Sequence, residues 1–541
     1  MRQFGFKNFR KFADFPTMEL APITIFVGEN NAGKSTVIKG ILALNDFLKS
    51  TIYFEPIYEE TQERQNANLK VLENIKFFFN TNYLAHIGTF KRSLYNRADD
   101  NSITFQTKVN NSDISFVIKG DPKDEEAVSG TVTDIIIFVD DIRMSFHFNL
   151  AEDKAIVTFN PNPDFKSENC NNSIKDYEKY FSSFNTPISF EINISSYLNG
   201  YKHGWLLLSL IDSVTNAMNV TIYQLLSEKN ELLDETKRED ELRFFTQILN
   251  ISSSDLKPIE GISSEIADFF ISLSNNPDFS YTINTDNGNK FSLIRFPRIF
   301  YDPRANIEYL YAHTVTQTVI YSAKDTNDYL SMTIHEFASQ KEQQYKHDFI
   351  TKWMKVFFIG NDYEILSVGG EAHIVYIVNT DGEKVWLADK GMGSIQLMVL
   401  LFRLAISLPD EENLSDHPNN GVGKIERNEI FIIEEPEQNL HPSLQSKLAD
   451  LFFELNSKYG FNFIIETHSE YLIRKTQVIV KEIFNDKKRP LKENPFKVFY
   501  FNSSDSEKPY YEIIYQKDGC FSNDFGKGFF DEASNLAFEI L

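Results

Sequence analysis

Residues 23–36, Ile-Thr-Ile-Phe-Val-Gly-Glu-Asn-Asn-Ala-Gly-Lys-Ser-Thr, constrain the fold more than any other stretch of the chain. The apolar and β-branched residues at 23–27 predict a short buried strand, and the apolar periodicity over 37–44 predicts a helix. Gly28 opens the loop between them. Strand, glycine loop and helix are the context in which a GxxxxGK[ST] pattern forms a phosphate-binding loop.

This loop has the residue types that bind the phosphates of a nucleotide. Its two glycines allow backbone N–H groups to turn inward as an anion nest, and the helix N-terminus adds partial positive charge. Lys34 is placed to reach the β- and γ-phosphates of ATP, and the Ser35 hydroxyl to ligate Mg²⁺. The predicted nucleotide-binding residues are Gly28, Glu29, Asn30, Asn31, Ala32, Gly33, Lys34, Ser35 and Thr36.

Composition limits the class of protein. The 541 residues are 42% hydrophobic and 14% aromatic, which is enough apolar material for large cores and argues against disorder. The net charge of −23 argues against a surface that is basic throughout. The two cysteines match no metal-binding spacing, and neither a signal peptide nor a membrane-spanning run is evident. We therefore expect a cytoplasmic protein without a membrane partner.

Hydrophobic patterns outline the rest of the chain. Residues 3–12 alternate as a half-buried strand does, with a turn expected near Phe15-Pro16. The β-rich runs within 101–160, separated by turn residues, predict an antiparallel meander. Residues 200–275 show helical periodicity, which fits a compact helical insertion or a short projecting arm. A strand at 307–311 and a helix near 329–358 follow.

Two acidic residues follow a second buried strand, Glu429 to Ile433. Glu434 and Glu435 are costly to place at the end of an apolar strand unless they meet a cation or a polarised water. Beside a phosphate loop, Glu434 is predicted to hold Mg²⁺ and Glu435 to be the general base for the attacking water. His468, at the end of a third apolar strand, is the candidate γ-phosphate sensor.

A second glycine-containing turn, Gly391-Met-Gly-Ser394-Ile-Gln396, precedes an apolar helix. It satisfies the same anion-binding geometry as the first loop, yet one site should need only one phosphate loop. The economical explanation is that Gly391, Gly393, Ser394 and Gln396 contact the nucleotide of a second subunit.

Together these motifs resemble the ABC-type ATPase heads of the SMC and RecF class, and more closely the bacterial AAA-family ATPases akin to the OLD-family head. The matching segments are Lys7–Phe12 for the first strand, Gly28–Ser35 for Walker A, Leu84–Phe90 for the Q-loop role, Asp389–Gln396 for a shortened signature, Glu434–Glu437 for Walker B, Asn439–Pro442 for the D-loop, Glu466–Ser469 for the H-loop and Gly528–Glu532 for the ending.

The resemblance implies an α/β fold: an ABC-type P-loop ATPase head with an antiparallel β subdomain and an inserted helical subdomain. The expected parts are the Walker A half of the head at 1–100, the β subdomain at 101–160, the mainly helical insertion at 161–295, the second half of the head at 296–480 and a C-terminal extension at 481–541. A Toprim nuclease domain, which the OLD nucleases carry, is not expected, because no DxD pattern with a preceding Glu is evident.

The resemblance also implies a function. An ATPase of this class closes as a homodimer, or a higher oligomer, around two ATP molecules and regulates a separate effector, here a nuclease of prokaryotic antiviral defence similar to the Septu and retron-associated systems. Nucleic acid would then be contacted only indirectly. The alternative is a RecF-like repair ATPase that binds DNA itself. The acidic net charge weighs against it, since only 487–492 forms a compact basic run.

Overall fold

The computed structural model describes residues 3–49, 72–80, 86–109, 112–139, 144–159, 187–198, 206–229, 258–259, 262–274, 280–284, 290–294, 306–312, 317–325, 328–341, 343–409, 429–486, 493–502, 508–526, 529–532, 536 and 539. In chain order the strands are β1 Gln3–Phe9, β2 Phe12–Glu19, β3 Ile23–Gly28, β4 Lys76–Phe78, β5 Ser102–Val109, β6 Ser112–Lys119, β7 Ser129–Val139, β8 Met144–Asn149, β9 Lys154–Phe159, β10 Ile188–Asn193, β11 Ser280–Asn284, β12 Lys290–Ile294, β13 Asn306–Leu310, β14 Tyr321–Ser322, β15 Asp362–Val368, β16 Ala372–Val378, β17 Lys384–Trp386, β18 Glu429–Glu434, β19 Asn462–Glu466, β20 Phe496–Phe501 and β21 Tyr510–Ile513. The helices are α1 Lys34–Lys49, α2 Phe90–Ser93, α3 Ile194–Tyr197, α4 Leu206–Lys229, α5 Ser264–Ser274, α6 Tyr329–Ser339, α7 Gln344–Val356, α8 Met392–Ile406, α9 Pro442–Tyr459 and α10 Glu470–Asn485.

The chain divides into two compact units. One comprises Met1–Glu19 and Lys39–Arg304, and the other comprises Leu20–Ile38 and Ala305–Leu541. The candidate site residues proposed from the sequence all lie in the second unit. Among the described residues, no helix has both the length and the apolar character that crossing a membrane requires.

The first unit is built on a nine-stranded antiparallel sheet in the order β10-β9-β8-β7-β6-β5-β1-β2, with β4 paired to β7. Its strands alternate buried and more exposed residues, as in β6, so one face forms a core. Phenylalanines dominate that core: the rings of Phe6 and Phe15 stack 4.7 Å apart, and those of Phe77 and Phe105 stack 5.0 Å apart.

The antiparallel sheet is larger than the predicted meander. Strands β5 to β9 follow one another in the sheet, but β1, β2 and β10 extend it. The turn expected near Phe15-Pro16 was wrong: β1 and β2 turn at Arg10, which has a φ of +56°, and Phe15 pairs with Phe6 inside the hairpin. Pro16 is tolerated there because β2 is an edge strand and its pairing with β1 is irregular between Phe15 and Met18.

The second unit is built on a six-stranded sheet in the order β13-β18-β19-β3-β20-β21. Every neighbouring pair is parallel except β20 with β21. All six residues of β3 are buried, as expected for a central parallel strand covered on both faces. Because the strands from β13 to β20 run in one direction, their carboxyl ends lie along the same edge of the sheet.

A smaller antiparallel sheet, β14-β16-β15 with β17 paired to β16, and the helices α6 to α10 complete the second unit. The single helix expected near 329–358 is two helices, because the chain leaves helical geometry after Ser339 and α7 starts at Gln344. The apolar residues of α8, including Leu401, join Ile25 and Ile465 in one core.

The fold is therefore the predicted mixed α/β architecture. It combines a mostly parallel sheet, whose strand β3 leads into the phosphate loop, with a large antiparallel sheet. Of the predicted helical insertion, α3, α4 and α5 are described, together with β10 and the hairpin β11–β12. Residues 230–250 of that insertion, the polar sequence at 410–428 and the basic run 487–492 lie outside the described residues.

Candidate active site

The phosphate loop lies between β3 and α1, as the sequence predicts. Gly28 has a φ of +134° and Gly33 a φ of +109°, both in the left-handed region that favours glycine. A Cβ atom on Gly28 would lie 2.2 Å from the carbonyl oxygen of Phe501, so backbone packing also demands glycine at this position. The Thr36 N–H donates to the Gly33 carbonyl at 3.0 Å, which starts the helix.

Lys34 lies folded against its own loop. Its side chain is 4% exposed, and Nζ donates to the carbonyl oxygens of Gly28 at 3.1 Å and Glu29 at 3.0 Å. Burial lowers the pKa of Lys34, whereas the nearby Glu466 and Glu435 act to raise it. The ammonium is thus close to carboxylates and bonded to weakly accepting carbonyls that a stronger anionic acceptor can replace.

Ser35 contacts a carboxylate that sequence reasoning did not assign to the site. Its Oγ donates to Oε1 and Oε2 of Glu466, at 3.3 and 3.1 Å, and Lys34 Nζ lies 3.9 Å from Oε1 of the same residue. Burial raises the pKa of Glu466 to about 7; Glu434 and Glu435 add to the rise, while Lys34 and Ser35 oppose it. The signal in the sequence is an acidic residue at the end of the buried strand β19, just before His468.

Glu434 ends β18 and lies beside Glu466 in the parallel ladder of β18 and β19. The Ala312 N–H donates to its Oε2 at 3.5 Å. Tyr309 on β13 also hydrogen-bonds to Glu434, and its pKa is raised by burial and by that carboxylate. The neighbouring strand thus orients Glu434, which is a second contact that the sequence pattern did not reveal.

Glu435 starts the turn after β18 in a strained backbone conformation. Its φ of +47° is rare for a residue with a side chain. Its N–H donates to the carbonyl oxygen of Glu466 at 2.8 Å, and the Gln438 side chain donates to its carboxylate. Gln396 donates to its carbonyl oxygen at 3.3 Å. These contacts hold the backbone of the turn and one carboxylate oxygen of Glu435 in place.

His468 follows β19 and is held through its backbone. Its N–H donates to Oε1 of Glu437 at 2.6 Å, and Glu437 is 9% exposed. The ring of His468 is exposed to solvent. Partial burial nevertheless lowers the pKa of His468, and Lys34 lowers it further, whereas Glu435 acts to raise it. The imidazole is therefore neutral near pH 7 and can accept or donate a hydrogen bond.

The second glycine turn starts α8. Gly391 is exposed, and a Cβ atom there would meet nothing within 4 Å, whereas one on Gly393 would lie 2.4 Å from the carbonyl oxygen of Asn439. Ser394 is half-buried, and its N–H donates to the Gly391 carbonyl at 2.8 Å. Gln396, expected to act on a second subunit, contacts Glu435 of its own chain.

The structure thus brings together Lys34, Ser35, Glu434, Glu435 and His468 at the carboxyl edge of one parallel sheet, with Glu466 among them. Of the segment matched to the Q-loop, residues 84–85 lie outside the described residues, and Phe90 belongs to the other unit. The described residues contain no group of three or more His, Cys, Asp or Glu side chains placed to hold a metal by themselves. The oxygen donors Ser35 and Glu434 are nevertheless the kind that Mg²⁺ prefers when phosphate and water complete its shell.

Comparison with known proteins identifies the family. The model of a family described as "AAA ATPase domain" matches residues 1–473. No curated protein matches the chain.

Three solved structures of SMC head domains resemble the chain weakly. A head bound to the C-winged helix domain of ScpA is 9% identical, with a TM-score of 0.34 over 95% of this chain and 97% of the other. A head with an extended coiled coil, bound to the C-terminal domain of ScpA from Pyrococcus furiosus, is 11% identical, with a TM-score of 0.32 over 100% and 98%. The head from Thermotoga maritima is 10% identical, with a TM-score of 0.30 over 95% and 100%. Similarity at this level carries no information on partner or pathway.

Proposed function

The chain belongs to the AAA ATPase domain family and is an ATPase, and from this premise we propose that it hydrolyses MgATP at the carboxyl edge of the six-stranded sheet. The observation that carries the proposal is the contact chain from Lys34 and Ser35 through Glu466 to the turn at Glu435. A cation, a hydroxyl and several carboxylates converge there beside a glycine loop. Phosphoryl transfer to water needs this set of groups.

Each residue has a distinct role in this proposal. The backbone N–H groups of the loop and the start of α1 bind the phosphates, and Lys34 exchanges its carbonyl contacts for the β- and γ-phosphates. Ser35 and Glu434 would hold Mg²⁺, which supplies Lewis-acid stabilisation of the phosphate charge when bound. The oxygen-only donor set suits that ion.

Glu435 is the proposed general base. Gln438 and the Glu466 carbonyl hold it in place, so its carboxylate can take a proton from water without first reorganising. His468 is the proposed γ-phosphate sensor, since its exposed ring interacts electrostatically with both Lys34 and Glu435. Its position depends on the Glu437 carboxylate.

Two copies complete each other's site in this proposal. Support comes from the open surface at Gly391 and from the half-buried Ser394 at the start of α8, which suit the approach of a second copy's γ-phosphate. Closure on ATP and opening after hydrolysis then regulate a separate effector, a nuclease in prokaryotic antiviral defence. The net charge of −23 favours a protein partner over direct binding of nucleic acid.

Steady-state release of phosphate by the purified full-length protein tests the catalytic core of this proposal. We expect Mg²⁺-dependent hydrolysis in the wild type and loss of ATP binding in Lys34→Ala. The matched control is Lys384→Ala, which removes an exposed lysine of β17 paired with Glu364. Full ATP affinity in Lys34→Ala would contradict the site. Stimulation by DNA alone would favour the RecF-like alternative.

A further inference from the structure

Gln445, near the start of α9, has no part in the proposed roles, yet its side chain joins two turns of the site. Its Nε2 donates to the carbonyl oxygen of Leu440 at 3.0 Å, and its Oε1 accepts from the Ser469 hydroxyl at 2.6 Å. Leu440 belongs to the turn after β18 that Glu435 begins, and Ser469 directly follows His468. One half-buried amide therefore connects the chain after β18 with the chain after β19.

The chemistry of its partners determines which way this amide points. A backbone carbonyl can only accept a hydrogen bond, so the NH₂ group of Gln445 must face Leu440. The Ser469 oxygen accepts from the Leu472 N–H at 3.1 Å, which leaves the hydroxyl proton for Oε1 of Gln445. Ser469 is 4% exposed, so water has little access to replace a lost bond. Both ends of the amide are therefore used.

The loop that carries His468 is held at two points by the turn after β18. The His468 N–H donates to Oε1 of Glu437, and the next residue along the chain is tied through Gln445 to Leu440. Both anchoring residues, Glu437 and Leu440, lie in the turn that Glu435 begins. One anchor would leave the loop able to pivot about it, whereas two determine both its position and its orientation.

We propose that Gln445 is a positioning residue that sets the place of His468 relative to Glu435. It acts through the two turns, because it bonds to the backbone of one and to the N-cap hydroxyl of the helix that follows the other. Without this bridge His468 shifts while the phosphate loop keeps its own contacts, so the transition state is destabilised more than bound ATP. This inference rests on the proposed function of the site.

Hydrolysis of MgATP by the full-length protein, measured as kcat and KM, tests the proposal. Gln445→Met keeps the length of the side chain and removes both hydrogen bonds, and Gln445→Ala removes them with a residue that favours helices. Gln344→Met, the same change at an exposed position of α7, is the matched control. Circular dichroism shows that each variant is folded, and single-turnover measurements with excess protein extend the range to slow variants.

We expect kcat to fall about tenfold in both Gln445 variants with little change in KM, since a 1 Å displacement at an active site can cost about a hundredfold and a lost hydrogen bond allows less. Gln344→Met should match the wild type. A higher KM at unchanged kcat would overturn the inference. So would a loss in Gln445→Met that Gln445→Ala does not share, because it would reflect crowding by the new side chain.

A double-mutant cycle with His468→Ala shows whether Gln445 acts through the sensor. In that background Gln445→Met should lower kcat by no more than about twofold, because no imidazole remains to be misplaced. A further loss of about tenfold there overturns this inference and leaves the proposed ATPase site intact. Hydrolysis by His468→Ala at the wild-type rate overturns the sensor role and this inference with it. Absence of hydrolysis by the wild type overturns the proposed function itself.

Discussion

The backbone N–H of His468 donates a hydrogen bond to Oε1 of Glu437 across 2.6 Å. Glu437 belongs to the turn after β18, and His468 follows β19, so this bond joins the ends of two neighbouring parallel strands. The second carboxyl oxygen of Glu437 is buried without a hydrogen-bond partner among the described residues. We therefore expect Glu437 to position the proposed sensor.

Replacing Glu437 by alanine removes this acceptor while leaving the phosphate loop untouched. We expect kcat to fall about ten- to a hundredfold with little change in KM, because a small displacement of His468 affects the transition state more than ground-state binding. Steady-state ATP hydrolysis measures both constants. Glu437→Gln keeps an oxygen acceptor and should retain most of the activity; equal losses in the two variants would contradict the positioning role.

The same carboxyl should make stability depend on pH. Burial raises the pKa of Glu437, against hydrogen bonds from His468 and Thr467 that lower it, and the charge of Glu435 adds to the rise. The folded-state pKa of Glu437 thus exceeds its ordinary value of 4.5. The contribution of the protonated carboxyl to the free energy of unfolding is therefore complete below pH 4.5, and it is lost as pH rises through the folded-state pKa. Between pH 4.5 and pH 8, the melting temperature of the wild type should therefore fall relative to that of Glu437→Gln. Parallel melting curves for the two proteins over that range would show that the carboxyl is not perturbed.

Glu435→Gln separates binding from hydrolysis. The amide cannot accept a proton from water, so we expect the rate of hydrolysis to fall by about 10²–10⁴-fold while ATP still binds. Light scattering after gel filtration with MgATP should then detect a persistent dimer. Glu364→Gln, which alters an exposed carboxylate, should behave as the wild type does. Hydrolysis by Glu435→Gln at the wild-type rate would exclude the general-base assignment.

Ser394→Ala tests the role of a second copy. Without the hydroxyl, a contact to the partner's γ-phosphate is lost, and turnover should fall about tenfold if that contact contributes a typical hydrogen bond to a charged group. Binding of ATP by the monomer should remain, since Ser394 is not proposed to contact its own chain's nucleotide. Ser446→Ala on α9 is the control. Weakened monomer binding in Ser394→Ala would argue for a role in the same chain.

Patterns along the chain predicted the parts of the molecule that depend on local sequence. The buried run at 23–27 became β3, and the runs within 101–160 became consecutive antiparallel strands, because each contains its own periodicity and turn residues. The helix near 329–358 was predicted as one because the polar residues 339–344 include no Gly or Pro that would mark its end, yet α6 ends at Ser339 and α7 starts at Gln344. The pattern of residues along a segment does not show where tertiary packing requires a helix to end.

By itself the sequence determined the α/β class, the phosphate loop and the acids that follow β18, since these depend on residue types at short and regular spacings. Only the tertiary structure decided that Glu466 contacts Ser35, 431 positions away, and that β1 pairs with β5 in the large sheet. Such contacts depend on which distant strands become neighbours and in what register. That choice is made by the packing of the whole core, and no single segment encodes it.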